Sequence, residues 1–413
     1  MTRTILHCDL NNFFASVECH DNPRLNDIPI AVCGSQDDRH GIVLAKNQHA
    51  KVYGIKTGET IWQAKQKCRN LEIVPPHFER YYYFSKRARE VYSRYTDQIE
   101  PFGIDECWLD VTGSTGIFGD GKTIADKIRE DMKAELGLTI SVGVSFNKIF
   151  AKLGSDLKKP DGTTIIEKDT FKKIVWELPC EDLLGVGKAT QRRLNSVGIY
   201  TIGEIADATP QRLFHMFGKS GYNLWQNAMG LDCSNVSHQD FQYDAKSVGN
   251  STTCKYDLEN SEQVWQVLMS LSEEVSRRLR KDNLVAANVV ISIKDNLLNY
   301  CEHGMPLHSP TRSCEVISKS AMELFNKNWE WQRDVRALGV RATNLTHYDN
   351  GVQTSLFVDR GDELSKEKLE TTVDLLRTRF GKTAIQRAAL MLPNHMPTGN
   401  TTQEVHMPTF NSR

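Results

Sequence analysis

The sequence lacks a dominant sign of charge, a long apolar run and any paired cysteine motif. Its 413 residues carry 51 lysines and arginines against 52 aspartates and glutamates, which excludes a uniformly basic, histone-like DNA binder. No apolar run approaches the roughly 18 residues that span a bilayer, so no membrane helix is expected. The ten cysteines include no C-x-x-C pair, which argues against a zinc knuckle and a disulfide framework. Met1 to Ile5 have no signal-peptide pattern, so a cytoplasmic protein is expected.

The length predicts two or more domains, because single hydrophobic cores rarely grow beyond about 250–300 residues. Up to residue 166, short apolar strand patterns alternate with helical patterns, including a helical pattern over 80–98, which together predict an α+β unit. Short helices with glycine turns follow. A polar stretch over 232–245 is typical of a linker, and strand and helix patterns then resume, which predicts a second α+β domain.

Three acidic residues form the first candidate site. Asp9 ends a short apolar strand pattern, and Asp105 and Glu106 begin another. Carboxylates are unfavourable in apolar surroundings unless a positive charge compensates them. Mg²⁺ prefers such oxygen ligands and completes its shell with phosphate oxygens. The alternative is that Asp9 caps a helix while Asp105 and Glu106 lie in an exposed turn.

A second motif points to a different enzyme class. Residues 116–123 match the P-loop pattern G-x-x-x-x-G-K-[ST], with Lys122 as its lysine, and precede a predicted helix. A P-loop ATPase also needs a parallel sheet and a second strand that ends in a Walker-B aspartate. No such strand is evident downstream, so a glycine-rich helix start is the preferred interpretation.

A third motif is a glycine hairpin between two predicted helices. Gly185 and Gly187 flank one residue, and Lys188 follows directly. Backbone N–H groups in such a hairpin can converge on one DNA phosphate without reading the base sequence. An ordinary helix–helix turn is the alternative.

Several segments together resemble the Y-family translesion DNA polymerases, most closely the DNA polymerase IV branch. The similar segments are 9–18, 104–106, 141–152, 158–162, 246–249 and 335–341, and they follow one another in the order and spacing of that family. The resemblance extends over about residues 1–390.

The resemblance implies an α+β multidomain fold built like a right hand. A palm with inserted small fingers (about 20–75) would occupy 1–165, and a helical thumb with a helix-hairpin-helix 166–231. The linker 232–245 would lead to an α+β little finger over 246–348 and a tail over 349–413 whose end is disordered. The activity implied is template-directed, error-prone translesion DNA synthesis without proofreading.

The resemblance also assigns roles to individual residues. Two Mg²⁺ ions would be held by Asp9, Asp105 and Glu106 with the backbone carbonyl of Leu10. The residues implied to bind the nucleotide are Asn12, Phe13, Phe14, Lys51 and Lys159. Among them, Phe14 would be a steric gate that excludes the ribose 2′-hydroxyl. The residues implied to bind DNA lie in the thumb and are Gly185, Gly187 and Lys188. The substrates implied are primer-template DNA and deoxynucleoside triphosphates.

The chain departs from the family pattern in the predicted fingers. Ala45, Gln48 and Lys51 stand where threonine, tyrosine and arginine are common in the family. The first two changes remove hydroxyl donors, and the third replaces a forked donor by a point charge. Nucleotide affinity is therefore where this chain is expected to differ most from its family.

An apolar island in the polar tail resembles the peptide by which bacterial polymerases bind the sliding clamp. Gln353 would form hydrogen bonds, while Leu356 and Phe357 would fill an apolar pocket. The alternative is that both side chains pack on the little finger. The sequence thus predicts a monomeric polymerase that binds DNA and the clamp, and not membranes. A catalytically silent DNA-binding accessory of the same fold and a P-loop ATPase are the competing functions.

Overall fold

The computed structural model describes residues 3–35, 39, 41–241, 244–350 and 360–391. The chain divides into two compact units. Unit 1 comprises the described residues within 3–34 and 42–241, and unit 2 comprises the others.

Unit 1 joins a mixed sheet region to a helical region. Its elements up to residue 166 are β1 (Ile5–Leu10), α1 (Phe13–Asp21), β2 (Ile30–Cys33), β3 (Val43–Lys46), α2 (Gln48–Val52), α3 (Ile61–Lys67), β4 (Glu72–Val74), α4 (Phe78–Tyr92), β5 (Ile99–Pro101), β6 (Glu106–Asp110), α5 (Thr115–Phe118), α6 (Gly121–Leu136), β7 (Ile140–Ser145), α7 (Lys148–Leu157) and β8 (Thr163–Ile166). The helical region follows with α8 (Phe171–Val175), α9 (Lys188–Asn195), α10 (Ile202–Asp207), α11 (Pro210–Phe217) and α12 (Lys219–Ala228).

The main sheet of unit 1 has strand order β5-β6-β1-β7-β8. Strand β1 is central and antiparallel to both β6 and β7, and all six of its residues are buried. A smaller sheet has the order β3-β2-β4. Because side chains alternate between the two faces of a strand, Leu6 and Cys8 face the main core, whereas His7 and Asp9 face α7.

Unit 2 is an antiparallel sheet covered by helices. Its elements are β9 (Ser247–Leu258), α13 (Ser261–Lys281), β10 (Leu284–Asp295), β11 (Tyr300–Thr311), α14 (Cys314–Asn328), β12 (Val335–His347) and α15 (Arg360–Phe380). The strand order is β11-β10-β12-β9. Helices α13 and α14 pack on the sheet around a core that contains Phe325 and Leu271.

Two elements differ from the sequence-based expectation. Helix α4 ends at Tyr92 rather than near Gln98, because Thr96 donates its hydroxyl to the carbonyl of Asp110 and turns the chain into β5. The sequence pattern predicts no strand over Tyr300–Thr311, yet the structure forms β11 there despite Pro306 and Pro310. It lies at the edge of the sheet, where a missing N–H costs no ladder hydrogen bond on the open side.

The charged helix α15, which follows the apolar island of the tail, is part of unit 2. Arg280 on α13 contacts Glu370 at 2.6 Å and Asp374 at 2.7 Å, and only 9% of Glu370 is exposed. Glu370 and Asp374 are four residues apart and therefore share one helix face. A charge-rich segment is thus packed through its acidic face rather than left in solvent.

Candidate active site

Two antiparallel strands place the predicted carboxylates side by side. Asp9 on β1 is the register partner of Glu106 on β6, and the backbone N–H of Leu10 donates to the carbonyl of Asp105 at 3.0 Å. In an antiparallel ladder, the neighbour of a hydrogen-bonded pair is a non-hydrogen-bonded pair, whose side chains approach most closely. The register therefore brings the Asp9 and Glu106 side chains together on one face of the sheet.

Helix α7 and the turn after it supply lysines to this face. Lys159 Nζ lies 2.7 Å from Asp9 Oδ2 and 2.8 Å from Asp156 Oδ1. Lys152 Nζ lies 3.0 Å from Glu106 Oε2 and 3.5 Å from Asp9 Oδ2. Positive and negative groups alternate through the cluster, so the two lysines compensate part of the buried negative charge.

The reach of α7 depends on Gly143 in β7. A Cβ at Gly143 would lie 1.9 Å from the carbonyl oxygen of Ala151 and 2.5 Å from the amide nitrogen of Ser155. Only glycine allows the helix backbone to approach the sheet this closely. The same approach lets Lys152 reach the carboxylates of β1 and β6.

The site holds several carboxyl groups whose charged form is disfavoured by burial. Burial raises the pKa of Asp9, Lys159 opposes that shift, and Glu106 adds to it. Burial, followed by the charges of Asp9 and Glu106, raises the pKa of Asp105 to about 7. Burial acts to lower the pKa of Lys152, but the surrounding carboxylates, Glu106 foremost, raise it above its ordinary value. A cation among the three carboxylates would be favoured electrostatically.

Motif analysis misses His7, a fully buried member of the cluster. Its Nδ1 lies 2.9 Å from Ser155 Oγ, and its Nε2 lies 3.2 Å from Glu106 Oε2. Burial, then the charge of Lys152, lowers the pKa of His7 well below its ordinary value, so the ring is neutral. The period-two alternation of a strand could have revealed it, since His7 is two residues before Asp9.

The two predicted phenylalanines have different surroundings. Phe13 is 3% exposed and belongs to the main core, so its ring cannot line an open site. Phe14 is half-buried and stacks on Tyr81, with ring centroids 4.2 Å apart and planes 11° apart. The Tyr81 hydroxyl donates to the buried Glu18 carboxylate. Asn12, with φ of 50°, makes the turn between β1 and the helix that carries both rings.

The departures in the fingers lie on β3 and α2. Asn47 caps the N-terminus of α2, and its Oδ1 accepts from the backbone N–H groups of Ala50 at 3.0 Å and Ile30 at 3.1 Å, which fixes the helix to β2. Gln48 and Lys51 are exposed on this helix. Ala45 is partly buried against the main core.

The glycine hairpin precedes α9. Gly185 has φ of 98°, which favours glycine, and Val186 between the two glycines is buried. Gly187 caps α9, and Lys188, its first residue, is exposed. The hairpin is therefore anchored by an apolar side chain while its backbone and lysine face solvent.

Family comparisons agree with this architecture. Residues 8–156 match the model of the impB/mucB/samB family, residues 245–356 match the C-terminal domain of that family, and residues 181–232 match the thumb domain of DNA polymerase-iota. DNA polymerase IV of Acetivibrio thermocellus is 51% identical over 391 residues, which is 95% of this chain and 98% of the relative. The chain belongs to the impB/mucB/samB family of Y-family DNA polymerases.

Other members of this polymerase family are similar over nearly the whole chain. DNA polymerase IV 1 of Bacillus subtilis is 33% identical over 400 residues, covering 97% of this chain and 96% of the relative. A solved Y-family DNA polymerase chimera superimposes with a TM-score of 0.75 at 27% identity, covering 83% of this chain and 99% of the chimera. The chain is thus a translesion-type DNA polymerase, a metal-dependent nucleotidyltransferase that acts on template-primer DNA and nucleotides.

The carboxylate face of this polymerase fits hard cations. Asp9 and Glu106 face each other, and Asp105 is within their electrostatic influence. These oxygen donors are of the type that Mg²⁺ prefers. Within the described ranges, no group of three or more histidine, cysteine or acidic side chains is arranged so that it could hold a metal ion as it stands. The lysines of α7 and its following turn supply the positive charge there.

The P-loop interpretation is wrong for this polymerase. The first three residues of the matching stretch belong to α5, and α6 begins at Gly121 with Asp120 as its cap. Lys122 is exposed and pairs with Asp126 at 2.6 Å on the same helix. The preceding strand β6 is antiparallel to β1, whereas a P-loop follows a strand of a parallel sheet.

Two further expectations concern the tail and membranes. Gln353, Leu356 and Phe357 lie outside the described residues, as does the end of the tail after residue 391. No helix among the described residues is long and apolar enough to cross a bilayer.

Proposed function

We propose that the chain adds deoxynucleotides to a primer by two-metal chemistry at the carboxylate face. Asp9, Asp105 and Glu106, with the backbone carbonyl of Leu10, would hold two Mg²⁺ ions. When bound, these ions lower the pKa of the primer 3′-hydroxyl and neutralise the triphosphate and the departing pyrophosphate. The observation that carries the proposal is the facing pair of Asp9 and Glu106, next to an Asp105 whose pKa is raised to about 7 by burial and by those two carboxylates.

The protein's own groups would position the nucleotide and its charge. Lys159, which pairs with Asp9, would bind the triphosphate, while Lys152 stays with the carboxylates of β1 and β6. Lys51 is a second candidate for the triphosphate. Burial and then the charge of Lys51 lower the pKa of Lys46, so the two lysines form a basic pair on the fingers.

We propose Phe14 as the steric gate that excludes ribonucleotides. Its ring is fixed by stacking on Tyr81, and the hydrogen bond of Tyr81 to Glu18 restrains that partner in turn. A rigid ring can reject a 2′-hydroxyl, whereas a mobile ring would move aside. Asn12 and Phe13 would contribute their backbone, because the Phe13 ring is buried.

The thumb would contribute to DNA binding. One DNA phosphate would be bound by the backbone N–H groups at Gly185 and Gly187 and by the ammonium group of Lys188. We propose the palm, fingers, thumb, linker and little finger at the boundaries expected from the sequence. We also propose a monomer that acts in the cytoplasm, where its DNA substrate lies. Gln353, Leu356 and Phe357 would dock on the sliding clamp.

A substitution at the metal face separates this function from its competitors. Asp9→Asn keeps the shape of the side chain but removes a metal-binding charge, so primer extension should fall at least about a thousandfold, or ~4 kcal/mol. DNA affinity should change little, because the phosphate grip lies elsewhere. Lys122→Ala is the matched control in the same unit and should leave extension intact.

Each competing function predicts a different result. A silent accessory would bind DNA equally well with or without Asp9→Asn and would extend no primer in either form. A P-loop ATPase would lose hydrolysis with Lys122→Ala and would not depend on Asp9. Extension that survives Asp9→Asn would contradict the proposed site.

A further inference from the structure

The turn that carries Lys159 is tied to the sheet at both of its ends. We call residues 158–162 the lysine turn. At its start, Ser141 Oγ donates to the carbonyl of Lys158 at 3.2 Å. Near its end, the backbone N–H of Asp161 donates to Asn11 Oδ1 at 2.8 Å. Lys159 lies between these two attachments, so its backbone has little freedom to shift.

Asn11 links the lysine turn to the catalytic strand. It is 4% exposed, and it lies two residues after Asp9 in the chain. Its Nδ2 donates to Ser141 Oγ at 2.9 Å while its Oδ1 accepts from Asp161. One buried amide therefore fixes the turn relative to β1 and β7 simultaneously. A buried amide held at both its oxygen and its nitrogen is restrained, because a displacement leaves a donor or acceptor unsatisfied.

Arg129 on α6 holds the same turn from the other side. Its Nε and Nη2 bind Asp161 Oδ1 at 3.1 and 2.9 Å, and Nη2 also binds the Asp161 carbonyl at 2.6 Å. Lys133, one helical turn further along α6, forms an ion pair with the same carboxylate. Asp161 has φ of 54°, a conformation that needs such support in a residue other than glycine.

We propose that Arg129 and Asn11 are positioning residues for Lys159 and thereby set the affinity for the incoming nucleotide. The inference rests on the proposed role of Lys159 as a triphosphate ligand. A lysine side chain is long and loses much rotamer entropy when it binds, so a fixed backbone reduces what remains to be ordered. Neither Arg129 nor Asn11 contacts the Asp9 and Glu106 carboxylates by any hydrogen bond in the described structure.

Arg129→Ala is the primary test, with Arg94→Ala as its matched control. Arg94 pairs with Glu135 near the other end of α6, so its loss removes an arginine–carboxylate pair from the same helix but leaves the lysine turn unchanged. For Arg129→Ala we expect the nucleotide KM to rise about tenfold, equivalent to ~1.4 kcal/mol, with kcat within about twofold. Arg94→Ala should leave both constants unchanged.

A binding measurement without chemistry gives a second readout. On a dideoxy-terminated primer, the Kd of the correct nucleotide should rise by the same factor as KM for Arg129→Ala. Asparagine tolerates the same backbone conformation as aspartate, so Asp161→Asn removes only the charge that Arg129 and Lys133 bind. It should raise the Kd of the correct nucleotide about threefold. This variant provides the test if Arg129→Ala proves to be unfolded by circular dichroism.

Combination with Lys159→Ala distinguishes the inference from the proposed function. If Arg129 acts through Lys159, Arg129→Ala should add no further rise in KM in the Lys159→Ala background. Two results would overturn the inference while the role of Lys159 stands. One is a further, full rise in KM when Arg129→Ala is added to Lys159→Ala. The other is an unchanged KM for both Arg129→Ala and Asp161→Asn in otherwise wild-type protein. An unchanged KM for Lys159→Ala alone refutes the role of Lys159, and the inference falls with it.

Discussion

Asp105→Asn should stabilise the metal-free protein at the expense of its activity. The carboxylate of Asp105 is held near those of Asp9 and Glu106, and burial together with these charges raises its pKa to about 7 from an ordinary value of 3.8. An amide at this position has nearly the same shape and no charge. The variant therefore removes the cost of burying this charge and of holding it beside two other carboxylates.

The size and sign of the effect follow from the pKa. A carboxyl whose pKa is raised on folding binds more protons in the folded state, so its contribution to stability falls as the pH rises from 3.8 towards 7. At pH 8 the raised pKa corresponds to a cost of roughly 4 kcal/mol, and at pH 5 the cost is only about 1 to 2 kcal/mol. The stabilisation by Asp105→Asn should thus be larger at pH 8 by about 2 to 3 kcal/mol.

Scanning calorimetry in EDTA at pH 8 and pH 5 measures this difference. For a unit of this size, each kcal/mol shifts Tm by about 2–4 °C, so the gain in Tm should be roughly 5–10 °C larger at pH 8. Asp120→Asn is the control. Its carboxylate caps α6, and hydrogen bonding to Thr123 lowers its pKa, so the variant should show no extra gain at pH 8.

Mg²⁺ supplies the second half of the experiment. Added at pH 8, it should raise the Tm of the wild-type protein, because it binds only the folded site. Asp105→Asn should lose most of that rise together with primer extension. Equal Tm gains for Asp105→Asn at pH 5 and pH 8 would refute the argument that burial and the neighbouring carboxylates disfavour a charged Asp105 in the folded protein.

Two further predictions concern selectivity and recruitment. Phe14→Ala should raise ribonucleotide incorporation by a large factor with a modest loss of deoxynucleotide use, because it removes a ring held rigid by Tyr81. The ratio of kcat/KM for ribonucleotides and deoxynucleotides measures this change. An unchanged ratio would place Phe14 in a packing role. Leu356→Ala combined with Phe357→Ala should abolish clamp-stimulated synthesis but not clamp-free synthesis, since short linear motifs depend on a few apolar anchors. Equal loss in both assays would make the segment structural.

The local sequence pattern predicts much of the secondary structure and fails where tertiary contacts intervene. The strand before Asp9 and the helix that begins near Lys122 are confirmed within a residue or two. The pattern extends α4 too far, because the turn after Tyr92 depends on a hydrogen bond from Thr96 to Asp110, which is distant in the chain. It misses β11, because proline is compatible with an edge strand only when the sheet order is known.

The candidate site shows the same division. The placement of acidic residues at strand ends selects Asp9, Asp105 and Glu106 without a structure, and the family resemblance adds Lys159. Neither of them selects His7, whose ring reaches Glu106 because the two strands are adjacent. Ionic and polar partners of this kind are set by three-dimensional packing.

The sequence by itself determined most of the strands and helices, the acidic and lysine motifs and the family resemblance they carry. These features depend on side-chain periodicity and on residue type, which are local properties of the chain. Only the tertiary structure decided which residues meet. Asp9 pairs with Lys159 and Asn11 with Asp161, each across 150 positions of sequence, and Arg280 pairs with Glu370 across 90. Such contacts arise from strand register and close helix packing, which no local pattern encodes.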